Sequence, residues 1–174
     1  MKWVTLSFAL LLLVLILPTQ GMSATATAVI KGTLEGSQIA GQVKFEETEK
    51  GLKVDAAISG ASAGEHGFHI HEHGSCAESG NAAGSHFNPD QTKHGFLPID
   101  GFKEAHAGDL GNIIVNSNGE GKLSVEIPNL SLSKEPYNVV HHAIILHANK
   151  DDFGQPTGNA GGRIACGVIE LDQK

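Results

Sequence analysis

The chain has 174 residues, enough for one domain with an ordinary hydrophobic core. Its formal net charge is −7 with the histidines neutral, and no basic cluster interrupts this acidic balance. A chain of this kind repels phosphate groups and anionic lipids, which argues against nucleic acid and membrane surfaces as partners.

The first 24 residues predict a secretory signal peptide. Lys2 provides a short positive region, and an apolar run follows from Val4 to Leu17. A membrane-spanning helix needs about 20 apolar residues, and this run is shorter. An uncleaved membrane anchor is the alternative interpretation. We expect cleavage near residue 24, which leaves an exported domain over residues 25–174 without a membrane anchor. Its net charge is about −8, because Lys2 is the only charged residue that is removed.

The rest of the chain consists of short apolar segments separated by glycine-rich turns, without a helical period. In one of them Leu52, Val54 and Ile58 alternate with polar side chains, which is typical of a half-buried strand. The predicted strands are Thr27–Gly32, Gln38–Glu46, Leu52–Ser59, Gly67–Glu72, Leu110–Asn116, Gly121–Ile127, Val140–Ala148 and Arg163–Leu171. Eight such strands predict an all-β fold, an antiparallel sandwich or barrel.

The fourth predicted strand contains the most informative motif, in which histidines alternate with apolar residues. Successive strand side chains point to opposite faces, so His69 and His71 project together while Phe68 and Ile70 share the other face. Imidazole suits copper, zinc, iron or nickel. The pair therefore predicts half of a metal site without naming the ion.

Two long connections interrupt the strand pattern. We call Gly74–Gly108 the first long loop and Asn149–Gly162 the second long loop. Loops of this length in a compact domain are usually functional or disordered. Because the first long loop contains His86, His94 and His106, we interpret it as a binding loop that metal organises.

The chain has two cysteines, Cys76 in the first long loop and Cys166 in the last predicted strand. In an exported protein such a pair predicts a disulfide rather than two free thiols. The bridge would close a loop of 90 residues and would tie the segment after the histidine strand to the final strand.

His147 lies near the end of the seventh predicted strand and shares the outward face of that strand with alternate residues. A single histidine at a strand end is more often solvated than bound to metal. The other histidines of the chain favour the interpretation as a ligand here.

Five strings of residues, in order along the chain, resemble the copper/zinc superoxide dismutases. They are Gly67-Phe-His-Ile-His-Glu72, Gly84-Ser-His-Phe-Asn-Pro89, Lys93-His-Gly95, His106-Ala-Gly-Asp-Leu-Gly-Asn112 and Gly158-Asn-Ala-Gly-Gly-Arg-Ile-Ala-Cys-Gly167. Together they are highly specific, and the resemblance covers essentially all of the exported domain. It implies an eight-stranded antiparallel Greek-key barrel and disproportionation of superoxide to dioxygen and hydrogen peroxide.

The resemblance also implies one copper and one zinc ion per chain. Copper would be bound by His69, His71, His86 and His147. Zinc would be bound by His86, His94, His106 and Asp109. The shared His86 would bridge a redox-cycling copper to a structural zinc and would carry a proton. Four nitrogens suit Cu(II), and three nitrogens with one carboxylate oxygen suit tetrahedral zinc.

Three further residues acquire roles from the resemblance. Arg163 would attract the anionic substrate and, with His86, would be a catalytic residue. Thr157 would narrow the opposite side of the substrate channel. Asp151 would join a copper ligand to a zinc ligand, here His69 to His94. Taken alone, Arg163 would be a surface charge and Asp151 an ordinary loop acid.

The remaining histidines are predicted to have no part in the metal site. We expect His66 to be a hydrogen-bonded structural residue, and His141 and His142 to lie on a strand surface. His73 stands where cytosolic eukaryotic members usually have an apolar dimer contact, so the mode of a homodimer stays open. It is also a candidate for binding an additional metal ion.

The second long loop is shorter than the corresponding loop of cytosolic eukaryotic members. Together with the predicted signal peptide, this favours a bacterial periplasmic enzyme, with an extracellular eukaryotic form as the alternative. A secreted, non-catalytic copper/zinc-binding module is the alternative function. Such a module would have no need for Arg163 and Asp151 at their positions.

Overall fold

Eight antiparallel strands close into a barrel within residues 23–173, the part of the chain that this computed structural model describes. The strands are β1 (Thr25–Gly32), β2 (Ala40–Glu47), β3 (Leu52–Ser59), β4 (Gly64–His71), β5 (Asp109–Val115), β6 (Gly121–Ile127), β7 (Ala143–His147) and β8 (Arg163–Leu171). The first long loop contains a 3-10 helix, Glu78–Ala83, and a short helix α1, Leu97–Asp100. The predicted signal peptide lies outside the described residues, except for its last two.

The order of the strands around the barrel is β1-β2-β3-β6-β5-β4-β7-β8, and β8 pairs with β1. Every neighbouring pair is antiparallel. The connections from β3 to β4 and from β6 to β7 pass between strands that are not neighbours, as in a Greek key. The predicted fold class is confirmed, and the choice between sandwich and barrel falls on the barrel. None of the helices within residues 23–173 is long and apolar enough to cross a membrane.

Alternation of apolar and polar side chains explains why these strands form. Leu52, Val54 and Ile58 of β3 are buried in the barrel interior, and polar residues between them face out. On β4 the apolar residues Phe68 and Ile70 are fully buried in the same core. The core thus fixes the register of β4, because a shift by one residue would turn its histidines inward.

The predicted first residue of the seventh strand was wrong. β7 begins at Ala143 instead of Val140, because His141 adopts a left-handed φ of 64° that ends the extended path. The prediction that His141 and His142 lie on a strand surface was therefore wrong about the strand, although His141 is exposed as predicted. His142 is half-buried, with its Nδ1 3.0 Å from the main-chain oxygen of His71.

The predicted disulfide is present and connects the first long loop to β8. The Cα atoms of Cys76 and Cys166 are 5.7 Å apart, and the bridge spans 90 positions. It fixes the segment just before the 3-10 helix against the barrel wall. Main-chain oxygens of this helix and of the residue after it, Gly84, accept hydrogen bonds from Arg163 of β8.

Candidate metal centre

Four imidazoles meet on the outside of the barrel wall. His69 and His71 project from β4, His147 ends β7, and His86 comes from the first long loop. One nitrogen of each ring lies within 4.8 Å of one nitrogen of every other ring, and we call these residues the predicted copper group. Strand periodicity places three of them on the outer face, but the two long loops cover that face, so all four are at most 5% exposed.

Main-chain oxygens orient two of these rings. Nδ1 of His71 lies 3.0 Å from the oxygen of Gly84, and Nδ1 of His147 lies 3.2 Å from the oxygen of Gly161. A carbonyl oxygen can only accept, so both Nδ1 atoms carry the proton and both Nε2 atoms are left with free lone pairs. These two Nε2 atoms are 3.3 Å apart. Lone pairs that face each other at this distance repel unless a cation lies between them.

His69 presents its other ring nitrogen to the same space. Its Nε2 is 2.8 Å from Oδ2 of Asp151, whereas its buried Nδ1 has no hydrogen-bond partner. Position 67 favours glycine, because a Cβ there would lie 2.8 Å from Cβ of Ala160 and 3.1 Å from the His69 ring. An unpaired buried nitrogen aimed at two free lone pairs fits a metal ion.

A second group combines three imidazoles with one carboxylate. His86, His94, His106 and Asp109 each place a ligand atom within 4.8 Å of the others, and we call them the predicted zinc group. Oδ1 of Asp109 is 2.8 Å from Nδ1 of His86 and 3.1 Å from Nδ1 of His106. Nδ1 of His94 is 2.9 Å from Oδ2 of Asp109 but does not have the direction of a hydrogen bond, so it stays unpaired.

His86 belongs to both groups and lies between them. Its ring centroid is 4.2 Å from that of His69 and 5.2 Å from that of His94. Two ions held by these two groups would therefore share one imidazole ring.

Asp151, at the start of the second long loop, connects the two groups on the far side. Its Oδ2 is 2.8 Å from Nε2 of His69, and its Oδ1 is 2.9 Å from Nε2 of His94. The side-chain amide of Asn112 holds the Asp151 main chain with hydrogen bonds of 2.7 and 2.9 Å. Gly158 lies against this carboxylate at a φ of 72°, and a Cβ there would come within 1.8 Å of Oδ1.

Burial keeps three rings of the predicted copper group neutral. It lowers the pKa of His71 to about 2, of His147 to about 3 and of His86 to about 4, against a usual value of 6.5. A neutral imidazole is the form that binds metal.

The surroundings of the predicted zinc group carry more negative charge than those of the predicted copper group. Burial lowers the pKa of His94, but the nearby carboxylates of Asp109 and Asp151 outweigh burial and raise this pKa to about 9. Burial would raise the pKa of the Asp109 carboxyl group, but its close contacts with three histidines, His106 first, hold that pKa well below the usual range. Two buried carboxylates beside three imidazoles suit a divalent cation.

A small cleft of about 240 Å³ opens onto the predicted copper group. His71, His86 and His147 line it on one side, and Arg163 and Thr157 also line it. The guanidinium of Arg163 donates to the main-chain oxygen of Gly80 at 2.6 Å and to that of Gly84. These bonds use part of its donor set and fix its position at the cleft.

The other histidines lie outside both groups. His66 is buried, with Nδ1 2.8 Å from the main-chain oxygen of His147 and Nε2 2.9 Å from that of Ser62. His73 follows the end of β4 and is exposed, with its Nε2 3.2 Å from the carboxylate of Glu72. Within residues 23–173 it is not part of a group that could hold a metal ion.

Comparison with known proteins identifies the family to which the chain belongs. The family described as "Copper/zinc superoxide dismutase (SODC)" matches residues 39–169. The chain belongs to this family. It is accordingly a superoxide dismutase with copper and zinc as cofactors, and the two groups of side chains fit these ions.

The curated relatives agree. "Superoxide dismutase [Cu-Zn] 2" of Mesembryanthemum crystallinum is 38% identical over 154 residues, 84% of this chain and 94% of that protein. "Extracellular superoxide dismutase [Cu-Zn]" of Onchocerca volvulus is 36% identical over 158 residues, 84% and 75% of the two chains. Among solved structures, the crystal structure of the clock protein EA4 superposes with a TM-score of 0.76 at 36% identity, covering 89% of this chain and 99% of that one.

The structure adds partners that sequence reasoning missed. Ser85 and Asn159 also line the cleft, and the carbonyl groups of Gly84 and Gly161 orient two rings. The carbonyl partners had no signal in the sequence, since every residue has the same main-chain oxygen. Ser85 and Asn159 both lie within strings that carry the family resemblance, and this was the available signal for them.

The metal-free protein should lose stability as the pH falls from 6.5 to 5. Unfolded histidines take up protons near pH 6.5, whereas folded His71, His147 and His86 stay neutral to about pH 2, 3 and 4. The unfolded state then binds more protons, so the free energy of unfolding falls by up to about 1.4 kcal/mol per group per pH unit. His94, with its raised pKa, contributes in the opposite sense only above pH 6.5.

Urea unfolding of the metal-free protein at pH 7, 6 and 5 measures this effect. A midpoint that does not change between pH 7 and 5 would contradict the burial of neutral imidazoles. The metal-loaded protein serves as the comparison, because bound ions add their own affinity to the folded state.

Proposed function

We propose that this enzyme converts superoxide to dioxygen and hydrogen peroxide at a two-ion centre bridged by His86. Copper is assigned to His69, His71, His86 and His147. Zinc is assigned to His86, His94, His106 and Asp109. The observation that carries the assignment is that His86 belongs to both groups of converging ligand atoms.

Bound copper supplies the one-electron oxidation and reduction that side chains lack, and bound zinc supplies a fixed positive charge. Two superoxide ions and two protons are consumed for each dioxygen and hydrogen peroxide formed. The protein's part is to hold the rings, admit the anion and deliver protons. His86 is suited to proton delivery because it lines the cleft and is the ring that both groups of ligand atoms share.

Arg163 is assigned to substrate attraction. It is the one cationic side chain that lines the cleft within residues 23–173, in a chain of net charge −7. Part of its guanidinium is bound to main-chain oxygens, and the rest can donate to an anion. A non-catalytic copper/zinc-binding module, the alternative function, is not favoured, since metal storage needs no anion-binding arginine at an open cleft.

Replacement of His86 tests the bridge. In His86→Ala we expect superoxide decay to slow by about 100-fold or more, because even groups that only orient a ligand change activity by about 10- to 100-fold. Pulse radiolysis of protein loaded with both metals measures the rate, and elemental analysis measures the content of one copper and one zinc per chain.

His73→Ala is the matched control, since His73 is exposed and outside both groups. A His86→Ala protein with wild-type turnover, or a wild-type protein no faster than free buffer, would end the proposal.

Replacement of Arg163 tests substrate attraction. We expect Arg163→Ala to lower the second-order rate constant by about tenfold and to weaken its dependence on ionic strength, because local positive charge raises anion encounter. Arg163→Lys should recover part of the rate, since it keeps the charge but loses the planar donor fork.

The exposed Lys122 of β6 provides the control, and Lys122→Ala should leave both quantities unchanged. If Arg163→Ala and Lys122→Ala have the same effect, net charge and not the cleft arginine governs attraction.

Export completes the proposal. Residues 1–24 act as a signal peptide and residues 25–174 as the exported enzyme, released to the periplasm or, as the alternative, to the extracellular space. Export is supported by the apolar run, by the disulfide, and by the relatives of Onchocerca volvulus, Caenorhabditis elegans and Brugia pahangi, which are named as extracellular enzymes. N-terminal sequencing of protein from the periplasmic fraction should begin within a few residues of Thr25; an intact Met1 would contradict it. Sedimentation equilibrium of the same material measures whether it is a monomer or a homodimer, which the sequence leaves open.

A further inference from the structure

His94 differs from the other predicted zinc ligands in how its main chain is held. Asp109 begins β5, His106 precedes it by three residues, and His86 forms an isolated bridge with His71 of β4. His94 lies in the middle of the first long loop, away from any strand. Its position therefore depends on contacts from elsewhere.

Those contacts come from one side chain of the second long loop. The N–H of His94 donates to Oε1 of Gln155 at 3.1 Å, and Nε2 of Gln155 donates to the main-chain oxygen of His94 at 2.8 Å. Within residues 23–173 these are the only hydrogen bonds of the His94 main chain. His94 is 2% exposed, so loss of Gln155 would leave a buried N–H and a buried carbonyl without a protein partner.

The segment that carries Gln155 is ordered by its own hydrogen bonds. The N–H of Asp152 donates to the oxygen of Gly158 at 2.9 Å, and the N–H of Gly158 donates to the oxygen of Gly154 at 2.6 Å. The carboxylate of Asp152 accepts from the N–H of Gly154 at 2.8 Å and from Nδ2 of Asn159 at 3.0 Å. Gln155 is thus presented by a closed turn, which reduces the entropy lost when it bonds to His94.

The same turn also contacts the His94 side chain. The ring of Phe153 lies nearly parallel to the His94 ring, with centroids 6.5 Å apart, and packs against Phe96 at 5.5 Å. Asp151 Oδ1 accepts from the N–H of Phe153 at 2.8 Å as well as facing Nε2 of His94. One loop therefore holds the ring and the main chain of this ligand together.

We propose that Gln155 is a positioning residue that fixes the main chain of His94 and thereby slows the release of zinc. The inference rests on the proposed assignment of His94 as a zinc ligand. Both side-chain hydrogen bonds of Gln155 go to His94 and none goes to a predicted copper ligand, so we expect the effect to be confined to one ion. The second long loop, besides bordering the substrate cleft, is then the device that retains zinc.

The test compares metal release from the copper- and zinc-loaded protein. Gln155→Met keeps the length of the side chain and removes both hydrogen bonds. In excess EDTA, with residual zinc and copper measured by elemental analysis over time, we expect zinc to leave about tenfold faster than from the wild type, on the order of what one or two ordinary hydrogen bonds contribute. Copper release should be unchanged. Gln42→Met, on the exposed side of β2, is the control and should behave as the wild type.

Gln155→Glu is a second variant that tests the same two hydrogen bonds. Its carboxylate can still accept from the His94 N–H but would oppose the His94 carbonyl oxygen, so zinc should leave at least as fast as from Gln155→Met. Equal rates of zinc release from all proteins would overturn the inference. An acceleration of copper release equal to that of zinc release would also overturn it, because it would indicate that the substitution loosens the whole metal centre.

Hydrogen exchange in the wild-type protein gives a measurement that needs no variant. The His94 amide should exchange about 100-fold slower than an unbonded loop amide, and unprotected exchange would overturn the inference. The proposed function fails separately: a wild type without one zinc per chain, or a His94→Ala protein that still retains zinc, removes the ligand assignment itself.

Discussion

The buried convergence of ring nitrogens around His86 is the constraint on which the rest of the molecule depends. Free lone pairs that face one another without a proton between them are unfavourable in a dry interior. A cation relieves this repulsion, and the groups around His86 offer their atoms at the spacing that ions require. The burial of the site and its need for metal are therefore two consequences of the same geometry.

The barrel wall and the loops divide the work of building this site. Strands supply His69, His71 and His147 at positions that hydrophobic core packing fixes, so the predicted copper group is largely preformed. His94 and His106 of the predicted zinc group come from the first long loop, whose shape depends on contacts with other parts of the chain. A zinc ion bound by this group would add its binding free energy to the ordering of that loop. The disulfide, Asp151 and Gln155 act in the same direction by tying the loops to the wall and to each other.

The net charge of the chain is negative, whereas the charge at the cleft is positive. The whole chain is acidic, which keeps it soluble and repels anions from most of its surface. Among the described residues that line the cleft, Arg163 is the one fixed cation, and carbonyl groups of the disulfide-anchored segment hold its guanidinium. Local potential at the cleft can thus guide an anion even though the net charge opposes it.

Local patterns in the sequence determined the all-β class, the exact bounds of β3, β6 and β8, and the outward pairing of His69 with His71, because strand periodicity depends only on neighbouring residues. The short strings around His86, His94, His106 and Asp109 determined the family and the choice of metals. Only the tertiary structure decided that the loops bury the outer face, that His142 turns inward, and that Gln155 holds the main chain of His94. These features depend on main-chain oxygens and amides brought together from distant parts of the chain, and such groups are the same in every residue, so no local pattern reports them.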